Sequence, residues 1–241
     1  MQLKNIFSLL LLITVTASSP QQTPSSRDVP SDANTPQCPN YCAGTAYNSS
    51  LAQTYVCGDP RLGPRILPRG IVLGDLVDDY KPFGDLCPGQ FLAKWYNSTA
   101  GSYNYPPQAG FQLNTDNSPI EGTITLSVGF QIDRFGSEYG TYTSPRGAPY
   151  MQRALPPSNL DTPQSSPVYV YYFPKIWAGT DLSWIRYPYN YHVYKVVKAF
   201  TVVSGPIAGW FEQPGQGVQY QMSSNILTLV NGGFLERVSL S

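Results

Sequence analysis

Few side chains in this 241-residue sequence can do polar chemistry, and the short inventory already excludes several mechanisms. His192 is the one histidine, in Tyr-Asn-Tyr-His-Val-Tyr, so an HExxH zinc site cannot be assembled. A Ser-His-Asp triad would have to use His192, and no GxSxG elbow accompanies it. Four glutamates (Glu121, Glu138, Glu212 and Glu236) leave little material for a pair of glycosidase carboxylates. Gly215-Gln-Gly217 lacks the third glycine and the strand-before-helix context of a dinucleotide fingerprint, and no Walker motif is present. The inventory by itself leaves a chain of unassigned chemistry.

The elements that must position these residues read as mostly strand. Eighteen Tyr, ten Phe and four Trp, with 21 Gly and 23 Pro, describe a β-rich, turn-rich chain. Strands are expected at Thr123–Ile132, Gly140–Thr143, Val168–Phe173, Tyr191–Val203, Gly217–Met222 and Phe234–Val238. Helical pieces are expected at Gln90–Tyr96 and Ile226–Val230. Ser158–Pro188 reads as a long excursion from the β core. The fold class is therefore mainly β (α+β).

Fifteen basic against fifteen acidic residues give zero formal charge, which excludes an electrostatic nucleic-acid binder. Residues 1–19 carry an apolar run (Ile6 to Val15) followed by small residues, the pattern of a secretory signal peptide. That run is too short for a membrane span. Residues 20–36 are rich in Pro, Ser, Thr and Gln, a flexible spacer. Cys38, Cys42, Cys57 and Cys87 follow, an even count in a secreted chain, so two disulfides are expected with three pairings open. Asn48 and Asn97 head sequons for N-glycosylation. Residues 37–100 form the disulfide-stapled module, and residues 101–241 the cysteine-free β domain.

Four segments add specificity: Tyr105-Pro-Pro-Gln-Ala-Gly-Phe111; Ile132-Asp-Arg-Phe-Gly136 with Gly140-Thr-Tyr-Thr-Ser-Pro145; Arg153-Ala-Leu-Pro-Pro157; and Gly205 to Tyr220, containing Gln-Pro-Gly-Gln-Gly-Val-Gln. In this order and spacing they resemble the tuberculosis necrotizing toxin (TNT) family of NAD glycohydrolases. With the leader, cysteines and sequons, the secreted fungal spore-surface members are the nearest in kind. The resemblance implies a TNT-like catalytic domain over residues 101–241 that splits NAD(P)⁺ into nicotinamide and ADP-ribose. It places Arg134 on the diphosphate, Arg153 as a second active-site arginine, and Phe135, Thr141 and Tyr142 against the substrate. Gln219 is its catalytic amide, with Gln213 as the alternate. NAD⁺ is then substrate rather than cofactor, no metal is expected, and a homodimer is compatible. An extracellular, spore or cell-surface location follows. Rival readings are an ADP-ribosyl cyclase or transferase, which would need Glu138 or Glu212 at the ribose, and an inactive surface-binding protein.

Overall fold

The computed structural model describes residues 37–68, 72–161 and 191–238. The expected leader and spacer, the strand at Val168–Phe173 and most of the Ser158–Pro188 excursion lie outside the described residues.

Among the described residues the chain forms α1 (Leu73–Leu76), α2 (Pro88–Trp95), β1 (Tyr96–Asn97) and β2 (Ser102–Tyr103). It continues through β3 (Gly122–Leu126), β4 (Gln131–Phe135), β5 (Tyr142–Pro145), β6 (Tyr191–Val196), β7 (Phe200–Pro206), β8 (Val218–Gln221), α3 (Ile226–Asn231) and β9 (Leu235–Val238). Strands β3 to β9 make one antiparallel sheet in the order β3-β7-β8-β5-β4-β6-β9. The mainly β expectation holds.

Two expected strands are each divided. Thr123–Ile132 breaks into β3 and β4 because Gly129 takes φ +90°. Its amide and the Phe130 carbonyl turn instead to Val196. Tyr191–Val203 breaks into β6 and β7, with the Val197 and Lys198 amides diverted to the Phe234 carbonyl. Tertiary hydrogen bonds accompany both breaks, and Gly129 is the local breaker in the first. Helix α3 starts where expected because the Asn225 side chain accepts from the Thr228 amide at 2.8 Å.

Alternation along the strands divides the core in two. One face carries Ile132, Tyr194, Val196, Val202, Tyr220 and Leu126, joined by Ile226 and Leu229 of α3 and by Leu235. Leu126 and Leu235 come from opposite edges of the sheet, so this cluster spans its full width. The other face carries Phe135, Tyr191 and Val193, and the cysteine-rich segment packs there. Its Val56, Leu62, Tyr80 and Phe91 are continuous with Tyr150 and Phe211.

Disulfides join Cys38 to Cys87 and Cys42 to Cys57. Cys87 is also the N-cap of α2, whose first turn closes when the Gln90 side chain accepts from the Cys87 amide at 3.0 Å. The sequon residues Asn48 and Asn97 are both exposed. The short loop of 15 residues closed by Cys42–Cys57 should stabilise the fold by about 3 kcal/mol. Chemical denaturation of a Cys42→Ser/Cys57→Ser variant should show a loss of that order, and peptide mapping should find the 38–87 and 42–57 pairs.

Candidate active site

Asp133 and Arg134 are adjacent on β4, and alternation sends them to opposite faces. Asp133 is fully buried and pairs with Arg153, whose Nη1 lies 2.6 Å from its Oδ1. The other carboxylate oxygen accepts from the Tyr191 hydroxyl at 2.7 Å and the Gly147 amide at 2.9 Å. Arg153 completes its bonding on the Ala148 carbonyl through Nε at 3.0 Å and Nη2 at 2.7 Å. Its guanidinium lies over the Phe135 ring, 5.1 Å from the centroid. Removing one partner of such a buried pair typically costs on the order of 3–5 kcal/mol.

Two of the expected site residues lie on this buried face. Arg153 is 5% exposed, with its guanidinium bonded to Asp133 and the Ala148 carbonyl. Phe135 is 1% exposed, its ring enclosed by Tyr150 at 4.8 Å and Tyr191 at 4.7 Å; it is a core residue.

Arg134 is different. Its Nε donates to the Ser137 carbonyl at 2.7 Å and its Nη1 to the Tyr142 carbonyl at 2.6 Å. Among the described residues it has no carboxylate partner, because Asp133 is already taken. Space for the guanidinium comes from two glycines. A Cβ on Gly140 would fall 1.9 Å from Nη2, and one on Gly136 would fall 3.3 Å from it. Burial lowers the pKa of Arg134, against smaller opposing effects of Tyr194 and Tyr105, so the site holds an uncompensated cation at a cost in hydration. Two carbonyls fix its plane, and Nη2 has no hydrogen-bond acceptor among the described residues.

The glutamine loop approaches the same region. Gln219 lies on β8 opposite Gly205 of β7, and its Nε2 donates to the Ala109 carbonyl at 2.9 Å. Its Oε1 has no protein donor among the described residues. Gly205 is required here, since a Cβ would meet the Ile120 carbonyl at 2.2 Å and Phe111 at 2.9 Å. Two residues on, Gln221 shares that face of β8 and its Nε2 reaches the Tyr142 hydroxyl at 3.3 Å. Tyr142 therefore joins the Arg134 anchor to the glutamine strand. Thr141 offers its carbonyl to the Met222 amide at 2.9 Å and stays part-exposed beside it. Gln213, the alternate amide, is buried, with Nε2 on the Lys81 carbonyl at 2.7 Å and the Phe211 carbonyl at 3.3 Å.

Tyr105 belongs to the site and was not singled out individually in the sequence. It is 57% exposed and stands edge-on to Phe211 at 5.6 Å. Burial of its hydroxyl end raises its pKa while Arg134 pulls it down. The signal was available in Tyr-Pro-Pro-Gln-Ala-Gly-Phe, the same turn that supplies Ala109. Strain marks these loops too. Of eight non-glycine residues with positive φ among the described residues, five (Gln108, Ala109, Phe211, Glu212 and Gln216) lie in the two loops flanking Gln219. Each costs about 1–2 kcal/mol, and such clustering is typical of functional sites.

The two glutamates a carboxylate mechanism would use are committed elsewhere. Glu212 bonds Lys94 and Trp95 at 2.5 and 3.0 Å. Glu138 accepts from Arg237 at 2.7 and 2.5 Å and from Tyr194 at 2.9 Å. An uncompensated arginine, a neutral amide and an exposed aromatic around strained glycine-rich loops suit an anionic ligand with a flat ring.

A family model described as tuberculosis necrotizing toxin matches residues 125–238. The conidial surface nicotinamide adenine dinucleotide glycohydrolase nadA of Aspergillus fumigatus (strain ATCC MYA-4609 / CBS 101355 / FGSC A1100 / Af293) is 48% identical over 205 residues. That match covers 84% of this chain and 78% of the relative. The chain belongs to the tuberculosis necrotizing toxin family. Among solved structures, tuberculosis necrotizing toxin complexed with its immunity factor IFT is 20% identical, with a TM-score of 0.39, covering 93% of this chain and 98% of that one. Rhs1-CT in complex with its cognate immunity protein RhsI1 is 15% identical, with a TM-score of 0.29, covering 50% and 78%.

For Glu138, burial raises the carboxyl pKa, but the Arg237 and Tyr194 hydrogen bonds outweigh it and hold the group below its ordinary 4.5. A depressed carboxylate stabilises the fold above its unfolded pKa, and that stability is lost as pH falls through the folded value. Glu138→Gln should therefore lower Tm at neutral pH and flatten its decline below about pH 4.5. If Glu138 served at the ribose, kcat would collapse instead; it should stay near wild type.

Proposed function

We propose that this protein is an NAD(P)⁺ glycohydrolase, cleaving the nicotinamide–ribose bond to give nicotinamide and ADP-ribose. The observation that carries this reading is Arg134, uncompensated and held by two carbonyls beside the loop that bears Gln219. A planar, permanently charged guanidinium with a free edge matches a diphosphate. The family membership and the relative named as an NAD glycohydrolase support the same assignment.

The nicotinamide leaving group is already cationic in NAD⁺, so departure needs no proton donor. Charge then develops on the ribose, and water must add at the anomeric carbon. Gln219 suits this step as a neutral amide: Nε2 is fixed on Ala109, and Oε1 is left for the ribose or the attacking water. Tyr105 and Tyr142 supply aromatic surface near the base. Asp133 and Arg153 act indirectly, by fixing β4 and thus the root of Arg134. No resident cofactor enters this scheme; NAD⁺ is the substrate. By analogy with the conidial surface relative, the protein acts outside the cell at a spore or cell surface, with Asn48 and Asn97 as glycan positions. Among the described residues no helix is long and apolar enough to cross a membrane.

Incubation of purified protein with NAD⁺ should yield nicotinamide and ADP-ribose in equal amounts; a cyclic product or protein-linked ADP-ribose would favour the rival chemistry. Gly140→Ala should act on Arg134 without altering it, since the new methyl occupies the Nη2 position. KM should rise at least about tenfold by the usual value of a lost charge-assisted contact. Circular dichroism should show the fold retained. Gln219→Ala should leave KM near wild type and lower kcat by about 10²–10³. Equal loss of kcat in Gln213→Ala and none in Gln219→Ala, both folded, would transfer the catalytic role to Gln213.

A further inference from the structure

The glutamine loop turns at Trp210–Gln213, a two-residue hairpin turn closed by the Gln213 amide on the Trp210 carbonyl at 2.9 Å. Both central residues are left-handed, Phe211 with φ +51° and Glu212 with φ +60°. Glycine or asparagine fits such positions far better. Glutamate there carries a conformational cost that glycine would not. That carboxylate does not point at the site. Its Oε1 accepts from Lys94 Nζ at 2.5 Å and from Trp95 Nε1 at 3.0 Å, both on the last turn of α2.

We propose that Glu212 is a positioning residue that docks the strained turn onto α2 and so holds Gln219 in place for catalysis. The inference rests on the NAD glycohydrolase reading. An exposed ion pair would do little alone, but here one oxygen takes two donors and the joint is closed around it. Gly84 approaches so near that a Cβ there would lie 2.6 Å from the Glu212 Cβ. Phe211 is 1% exposed among Trp95, Tyr103 and Tyr105, at ring distances of 5.5, 5.4 and 5.6 Å. Trp95 and Trp210 face each other at 5.1 Å.

The path to Gln219 is short and tight. Gln213 is tied to Lys81, and Pro214–Gly215 folds back on Ala208 with no room for a Cβ at Gly215. The Ile207 amide bonds the Gly217 carbonyl at 2.8 Å, the Ala208 amide bonds the Gly110 carbonyl at 2.9 Å, and β8 begins at Val218. Behind Glu212, α2 is anchored at its other end by the Cys38–Cys87 disulfide. The stapled segment is thereby connected mechanically to the catalytic amide, about 120 residues later in sequence.

The test compares Glu212→Gly with Glu212→Gln in the full chain. Glycine relieves the left-handed strain while deleting the carboxylate, so Tm should be unchanged or higher. A purely structural residue would then show no kinetic effect. We expect kcat for NAD⁺ to fall roughly 10- to 100-fold with little change in KM, the scale of a loop misplaced by about an ångström. The near-UV circular dichroism of the Trp95–Trp210 pair should weaken. Glu212→Gln keeps an acceptor for Trp95 and should recover most of both signals. Wild-type kcat in Glu212→Gly, or a kcat loss matched by a lower Tm, would overturn the proposal. Lack of NAD⁺ turnover by the wild type would instead overturn the function, leaving the dichroism to report on the contact.

Discussion

The choice of partner by Asp133 governs the rest of the molecule. Strand alternation turns this carboxylate away from its neighbour Arg134 and toward Arg153 on the buried face. Had the two neighbours paired, Arg134 would be a neutralised surface group with nothing to offer an anion. Asp133 is taken by Arg153, Tyr191 and the Gly147 amide, and backbone carbonyls rather than carboxylates orient Arg134. A carbonyl cage directs a guanidinium without cancelling it. Gly136 and Gly140 follow from the same constraint, since any side chain at Gly140 would occupy the guanidinium's space.

The site is assembled between loops in high-energy conformations, and packing from the cysteine-rich segment makes them affordable. Left-handed Phe211 is held with its ring buried against Trp95 of that segment and against Tyr103 and Tyr105 just beyond it. Gln213 holds the loop by a bond to Lys81, 132 residues earlier. On the opposite side of Gln219, the Gln108–Gly110 turn is left-handed at three successive residues and presents the Ala109 carbonyl. Binding loops of this kind trade local stability for geometry, and the trade works only where a rigid neighbour supplies the difference.

Much of this was legible in the sequence. Runs rich in Val, Ile, Tyr, Phe and Thr located most strands, the helical piece at Ile226–Val230 matches α3, and the four motif segments named Arg134, Tyr142 and Gln219, which the structure brings into one region through Tyr142 and Gln221. Other placements depend on contacts that the sequence does not display. Phe135 faces the cysteine-rich segment and Arg153 pairs with Asp133 on that same side of β4, whereas Arg134 lies on the opposite face. Gln213 and Gln219 are the same residue type in one loop; only their distant acceptors, Lys81 and Ala109, tell them apart. The partners of Glu212, Lys94 and Trp95, likewise lie in another segment. Long-range contacts, not local propensity, assigned these roles.

The most direct test of the central claim is a crystal structure of the Gln219→Ala protein soaked with NAD⁺. The account predicts diphosphate oxygens within hydrogen-bond distance of Arg134 Nη2, the nicotinamide–ribose bond beside the vacated Gln219 position, and Arg153 still paired with Asp133. A diphosphate held by Arg153, or bound away from Arg134 with the Asp133 pair intact, would contradict it.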